Sequence, residues 1–162
     1  MENLNNIGLD KSKSEELAKK LNILLANYSI FYQNTRGYHW NVKGHKFFEL
    51  HLKFEELYND LLLKMDEVAE RILTLGHTPS HKYSDYKLSS TLQESDQVSD
   101  GIKAVEEIVN SFKITITLQR ELLELSSETG DEGTSPPRSR ANPFAWHLIN
   151  KKAFTIFDKK KK

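Results

Sequence analysis

The clearest structural pattern of the chain lies in residues 38–79, YHWNVKGHKFFELHLKFEELYNDLLLKMDEVAERILTLGHTP. From Phe47 to Gly76, apolar residues recur at three- and four-residue spacings, which indicates one long helix. Its apolar stripe is wider than a surface helix needs, so we expect burial on two sides. Gly76 ends this helix, and Pro79 three residues later confirms the end.

Another helix is predicted before this segment. It begins at Ser12, where Ser12 and Glu15 form a capping box. The apolar residues from Leu17 to Tyr32 follow at helical spacing. His39 is therefore expected in the last turn of this helix or just beyond it.

The rest of the chain predicts a connection and two further long helices. The polar stretch 77–95 is a connection, with one short helix indicated at Thr91–Glu94. A third long helix is predicted from about 96 to 127, and a fourth follows Gly130. We therefore predict an all-α fold, a ferritin-like four-helix bundle with a short helix in the connection between helices 2 and 3.

The composition of the chain changes at residue 136. Residues 136–162 hold eight basic residues and one acid, whereas the preceding 135 residues hold 15 basic and 22 acidic ones. We assign residues 1–135 to the bundle domain and 136–162 to an atypical basic C-terminal segment. In that segment Pro136, Pro137 and Pro143 oppose a regular helix, so a remodelled or partly disordered fourth helix is expected.

Global composition excludes several functional classes. The 162 residues include no cysteine, which excludes thiolate metal sites, disulfides and cysteine nucleophiles. No apolar run approaches the 18 or so residues of a membrane span, and the polar start is not a signal peptide. We expect a cytoplasmic protein that does not engage a membrane.

Four side chains carry a metal-ligand pattern that one chain cannot complete. His51 and Asp66 lie 15 residues apart on the long helix, which is roughly 22 Å along its axis. Ligands of one metal must lie about 2 Å from it. An antiparallel copy of the helix would bring Asp66 and Glu70 of one chain opposite His39 and His51 of the other. Two-fold symmetry then predicts two equivalent sites at a subunit interface.

The ligand types define which metals fit. Imidazole and carboxylate ligands without sulfur suit Fe(II), and they also accept Zn(II), Co(II) or Mn(II). His51 with Glu55, and Asp66 with Glu70, have the four-residue spacing that places two side chains on one helical face. The alternative is a packed histidine and ordinary solvated carboxylates.

The segment from Tyr38 to Pro79 also carries a resemblance. Its core, H-W-N followed by F-x-x-L-H-x-x-F-E-E-L-Y and D-E-x-A-E-R, resembles the signature of the Dps family of bacterial mini-ferritins. The likeness extends from the first helix to Thr134. It implies a hollow dodecamer that binds Fe(II) at intersubunit ferroxidase sites, oxidises it to Fe(III), preferentially with hydrogen peroxide, and stores ferric mineral.

The resemblance also implies residue roles. His39 and His51 are ligands from one subunit, and Asp66 and Glu70 are ligands from its two-fold mate. Glu55 is implied as a further ligand, through water, of a second iron.

Two other roles are implied near these ligands. Glu55 and Glu56 belong to the acidic inner surface that nucleates mineral, with solvated glutamates as the alternative. Trp40, adjacent to His39, intercepts radicals by giving up an electron, with a packing role as the alternative. His45, His77 and His81 are interpreted as surface residues.

DNA is the remaining candidate partner. Several members of the Dps family bind DNA through lysine-rich tails, and here Lys159, Lys160, Lys161 and Lys162 are the candidate phosphate contacts. The alternative function is therefore a DNA-compacting, nucleoid-associated protein whose metal chemistry is secondary. The acidic body of the chain argues against that alternative. Because the fourth helix is atypical, the two-fold dimer is expected more firmly than the dodecamer.

Overall fold

The computed structural model describes residues 3–134, and these form an all-α fold. Helix α1 spans Lys11–Asn41, α2 Phe47–Thr74, α3 Tyr83–Ser89 and α4 Gly101–Thr129. Three long helices and a short connecting helix match the predicted bundle. The fourth long helix was predicted after Gly130, but the structure has turns up to Thr134. The remainder of that prediction lies outside the described residues.

Helix α1 packs between α2 and α4 and supplies much of the core. Its fully buried Leu17 and Phe31 lie on the face that meets both neighbours. The ring of Phe31 meets Phe112 of α4 edge-on, with 5.0 Å between the ring centres. From α2, Leu57, Leu61 and Ile72 complete the same core, and each is at most 1% exposed. The wide apolar stripe of the sequence is thus partly explained by burial against α1.

The N-terminal cap of α1 differs from the predicted one. The predicted capping box placed the helix start at Ser12, whereas the helix begins at Lys11 with Asp10 as its cap. The Asp10 carboxylate accepts the backbone N–H of Lys13 at 3.0 Å. A carboxylate one or two residues earlier satisfies the free N–H groups of the first turn equally well and also favours the positive helix end. The prediction of a Ser12 cap was wrong for this reason.

The connection between α2 and α4 also departs from the prediction. No helix forms at Thr91–Glu94, and the short helix is α3. Two asparagines of α1 bind the backbone of this stretch instead. The Asn27 amide oxygen accepts the N–H of Thr91 at 2.8 Å, and the Asn34 amide oxygen accepts the N–H of Ser95 at 2.9 Å. These bonds compete with helical ones, so the local sequence alone misplaced the short helix.

Helix α4 begins five residues later than predicted. Asp100, rather than Asp96, precedes the first turn, and its carboxylate accepts the backbone N–H of Lys103 at 2.8 Å. The β-branched run from Ile114 to Thr117 is helical, as predicted, because Thr115 is buried against the core. Across residues 3–134, no helix is long and apolar enough to cross a membrane.

Candidate metal centre

The two predicted histidine ligands lie at the junction of α1 and α2. His39 is in the last turn of α1, and His51 follows the first turn of α2. Between the helices, Gly44 has a φ of 103°, a conformation that side chains other than glycine rarely adopt. This tight reversal returns the chain so that the two histidines, 12 residues apart in sequence, face each other.

The two imidazoles are held by reciprocal hydrogen bonds to each other's backbone. His39 Nδ1 lies 2.8 Å from the carbonyl oxygen of His51, and His51 Nδ1 lies 2.9 Å from the carbonyl oxygen of His39. A carbonyl oxygen only accepts, so each Nδ1 must carry the proton. In the neutral imidazole, each Nε2 then keeps its lone pair. Nε2 is therefore the atom of each imidazole that can still bind a metal ion, and hydrogen bonding through Nδ1 commonly orients histidines at metal sites.

Aromatic rings fix the orientation of the two histidines. The imidazoles stack on each other with 3.7 Å between their centres and 21° between their planes. Phe47 stacks on the outer face of His51 at 5.0 Å, and Tyr58 meets His39 edge-on at 5.3 Å. His39 is buried and His51 is half-buried. The pair is thus rigid, with little freedom to lose when it binds an ion.

The two predicted carboxylate ligands lie elsewhere on the same helix. Asp66 and Glu70 are one turn apart on α2, and both are exposed in the single chain. Their neighbours on that side of the helix are apolar and also exposed. These are Phe48, Leu52, Leu62, Leu63 and Leu73, with 79%, 57%, 47%, 67% and 60% of their surfaces accessible. We call these five residues the α2 apolar stripe.

One chain brings together part of the predicted ligand set. His39 and His51 are in contact, whereas Asp66 and Glu70 lie several turns farther along α2. Within the described part of the chain, no group of three or more histidines, aspartates or glutamates is placed to hold a metal ion. The assignment of all four as ligands of one site therefore stays a prediction that needs a second subunit.

The other predicted residues occupy varied positions. Glu55 is half-buried on α2, and Glu56 is exposed and paired with Lys53 at 2.5 Å. Trp40 is 58% exposed, which leaves its indole accessible. Lys159, Lys160, Lys161 and Lys162 lie outside the described residues.

Two residues of this region were not anticipated from the sequence. Tyr58 contacts the His39 ring, and the guanidinium carbon of Arg36 lies 4.7 Å from the centre of the Trp40 ring. The spacing of Arg36 and Trp40, four residues apart on a predicted helix, was a readable signal for their contact. The Tyr58 contact depends on how α2 packs against α1, so no local pattern could have revealed it.

Comparison with known proteins defines the class of this fold. Residues 18–136 match the ferritin-like domain family. A solved Dps structure from Vibrio cholerae, described as a member of a superfamily of ferritin-like diiron-carboxylate proteins, is 46% identical and superposes with a TM-score of 0.84. It covers 99% of this chain and 98% of its own. A "DNA protection during starvation protein" from Porphyromonas gingivalis is 36% identical over 78% of this chain and 80% of its own length.

Another relative and a second solved structure are also similar to this chain. An uncharacterised protein from Haemophilus influenzae is 50% identical over 82% of this chain and 83% of its own length. The Dps structure from Thermosynechococcus elongatus is 30% identical, covers 85% of this chain and 90% of its own, and has a TM-score of 0.79. The chain belongs to the Dps family of ferritin-like proteins.

Proposed function

We propose that this protein is a ferroxidase that stores iron and thereby protects DNA from oxidative damage. Membership of the Dps family supports an iron-binding, protective role. The ferroxidase activity is proposed from one observation, the geometry of the two imidazoles. Each Nδ1 donates its proton to a carbonyl oxygen, which leaves both Nε2 atoms free for one metal ion. Iron is the substrate of this site rather than a resident cofactor.

The α2 apolar stripe supports the proposal that the site is completed by a second copy of the chain. Asp66 and Glu70 lie among its five exposed apolar residues, and such a face is typical of a surface that another protein covers. In an antiparallel two-fold pair, the stripe of each chain covers that of the other, and the carboxylates of one chain approach the histidines of its mate. Each dimer then has two sites.

The ligand set fits the proposed chemistry. Carboxylates stabilise Fe(III) more than Fe(II), so Asp66 and Glu70 favour the oxidised product. Two Fe(II) ions give one electron each to hydrogen peroxide, and with two protons the peroxide becomes two water molecules. No hydroxyl radical is released in this two-electron step. The histidines bind Fe(II) before oxidation, and Glu55, half-buried one turn after His51, is proposed to hold a second iron through water.

Mineral storage and location complete the proposal. Glu55 and Glu56 are proposed to start the ferric mineral on the inner surface of a hollow dodecamer. Trp40 is proposed to give up an electron to radicals that escape the two-electron step. We place the protein in the cytoplasm, in association with the nucleoid if it binds DNA.

A complementation experiment tests the shared site. One variant carries His39→Ala and His51→Ala, and the other carries Asp66→Ala and Glu70→Ala. Each variant alone is expected to lose rapid peroxide-driven Fe(II) oxidation, followed by ferric absorbance after anaerobic loading. When the two are co-expressed, each mixed dimer has one site with all four ligands and one site with none.

The expected yield is quantitative. Random pairing makes half of the dimers mixed, so about a quarter of the wild-type sites should return. Recovery of that size supports a site shared between subunits. No recovery in a mixture shown by mass spectrometry to contain mixed dimers would contradict the shared site. Particle mass, measured on the same sample, separates a dodecamer from a dimer.

DNA compaction is the second candidate function. It is favoured by one observation, which is that several relatives are named for DNA protection, and one from Nostoc, 31% identical, is named a nutrient stress-induced DNA-binding protein. Lys159, Lys160, Lys161 and Lys162 are the proposed contacts. Gel retardation that weakens steeply with salt, and is lost when these lysines are removed, would support DNA binding.

A further inference from the structure

A cluster of three aromatic rings surrounds one arginine beside the histidine pair. The guanidinium carbon of Arg36 lies 4.7 Å from the centre of the Trp40 ring, 5.4 Å from that of Tyr32 and 5.9 Å from that of Tyr58. All three distances fall within the roughly 6 Å at which a cation interacts with an aromatic ring. Tyr58 is the ring that also touches His39. We call these four residues the arginine cage.

Both helices contribute to the cage, and its geometry is well defined. Tyr32, Arg36 and Trp40 follow each other at four-residue spacing, so they share one face of α1. Tyr58 comes from α2 and meets Tyr32 edge-on at 6.0 Å. Arg36 also donates a hydrogen bond from Nη1 to the hydroxyl oxygen of Tyr32 at 3.2 Å. The guanidinium is therefore held in place rather than free in solvent.

A fixed cation changes how readily these rings lose electrons. The closed-shell ring presents a negative face, which attracts the guanidinium. Removing an electron puts a positive charge on the ring, which the same guanidinium repels. Arginine stays charged at any pH that proteins tolerate, so the effect is constant. For Tyr32, the hydroxyl oxygen accepts a hydrogen bond from Arg36, so this contact offers no base for the proton that tyrosine loses on oxidation.

We propose that Arg36 is a positioning residue that raises the potential at which Trp40 and its neighbouring rings are oxidised. Trp40 is 58% exposed and adjacent in sequence to His39, so the ring is open to oxidants generated near the iron. With Arg36 in place, an oxidant whose potential lies close to that of Trp40 oxidises the ring about two- to five-fold less. A much stronger oxidant, such as a hydroxyl radical, oxidises the ring in either case.

The oxidation of Trp40 by a hydroxyl radical balances as follows. A hydroxyl radical, formed when a single Fe(II) reduces peroxide, takes an electron from the Trp40 indole and becomes hydroxide. The indole N–H releases its proton, which combines with the hydroxide to give water. The product is a neutral tryptophan radical. The inference rests on the proposed function only for the source of this oxidant, since the effect of Arg36 on the ring exists without iron.

The first test therefore uses the metal-free full chain. Trp146, the second tryptophan, is replaced in all samples by Trp146→Phe, and the Trp40 peak is distinguished from the peaks of the six tyrosines as the one that Trp40→Phe removes. Square-wave voltammetry then compares the parent with Arg36→Gln and Arg36→Leu, both of which remove the charge. For an exposed cation–π contact we expect the equilibrium constant for oxidation to rise about two- to five-fold, a fall in potential of about 20–40 mV.

Two further variants separate the contact from general charge and folding effects. Arg36→Lys keeps the cation and should keep most of the potential. Arg120→Gln removes the same charge from an exposed position of α4 and should leave the potential unchanged. Far-UV circular dichroism identifies which charge-removing variant is folded. An unchanged or higher potential in a folded charge-removing variant overturns the inference, and so does an equal fall in Arg120→Gln.

A second experiment, anaerobic Fe(II) loading followed by hydrogen peroxide, separates this inference from the proposed function. If the wild-type chain does not oxidise iron but the potential still shifts in the metal-free test, the proposed function fails and the role of Arg36 stands.

Discussion

At the scale of single residues, the tautomers of the two histidines are set by main-chain atoms. His39 and His51 each face a carbonyl oxygen of the other residue, so neither needs a carboxylate to fix its proton. This arrangement therefore commits no carboxylate to orienting the imidazoles. A sequence pattern can indicate that histidines are ligands, but the atom that binds depends on this hydrogen bonding.

Two buried tyrosines should make the fold sensitive to alkali. Burial raises the pKa of Tyr28, and burial together with the hydrogen bond to Glu107 raises the pKa of Tyr38. Both keep their protons in the folded chain to higher pH than in the unfolded chain. The two tyrosines therefore leave the free energy of unfolding unchanged below about pH 10. Above that pH they lower it, with a slope that approaches about 1.4 kcal/mol per pH unit for each tyrosine.

Urea unfolding at several pH values between about 9 and 11 measures this slope. Tyr28→Phe and Tyr38→Phe should each remove about 1.4 kcal/mol of the total stability loss between about pH 9 and 11, whatever their effect on stability at neutral pH. A slope that is the same in both variants as in the wild type would show that other groups control the alkaline transition.

At the scale of the elements, the ends of the helices depend on side chains that the sequence pattern did not indicate. Asp10 caps α1 and Asp100 caps α4, whereas the predicted starts of these helices were Ser12 and about residue 96. In the connection, Asn27 and Asn34 of α1 bind a stretch that is more than 60 residues away in the chain. Capping is local and could be predicted to within a few residues, whereas the asparagine contacts could not.

The capping assignment for α1 is directly testable. Asp10→Ala removes the acceptor of the Lys13 N–H and should destabilise the protein by about 0.5–2 kcal/mol. Ser12→Ala, the matched control, should change stability by less than about 0.5 kcal/mol, because Ser12 is exposed within the first turn. Chemical unfolding of the two variants measures both. A larger loss of stability for Ser12→Ala than for Asp10→Ala would show that Ser12, and not Asp10, caps the helix.

At the scale of the whole molecule, an ion pair and a hydrogen bond join the end of α2 to the segment that follows α4. The Arg71 guanidinium near the end of α2 pairs with the buried Asp131 carboxylate just after α4, and Arg71 Nε also donates to the Thr134 hydroxyl at 2.9 Å. Asp131 was predicted to begin a fourth helix. Its carboxylate instead links the end of α4 to α2, where its burial is offset by the arginine.

The α2 apolar stripe predicts how the molecule associates. Leu63→Glu places a charge in the middle of the stripe and should convert the proposed two-fold dimer to monomers, with the loss of rapid Fe(II) oxidation. Leu4→Glu is the control, since Leu4 is an exposed leucine outside α2. Light scattering coupled to size-exclusion chromatography measures the mass. A Leu63→Glu protein that keeps its wild-type mass would place the interface elsewhere.

The class of fold, the long α2 helix and the four candidate ligands could all be predicted from the sequence. Helical periodicity and ligand chemistry are local properties, so they can be read from spacing and residue type. The distance between His51 and Asp66 along one helix even indicated that a second chain is needed. How α1 and α2 meet could not be predicted in this way. That packing gives His39 and His51 their shared hydrogen bonds and surrounds Arg36 with rings from both helices, because contacts between distant segments depend on the folded geometry.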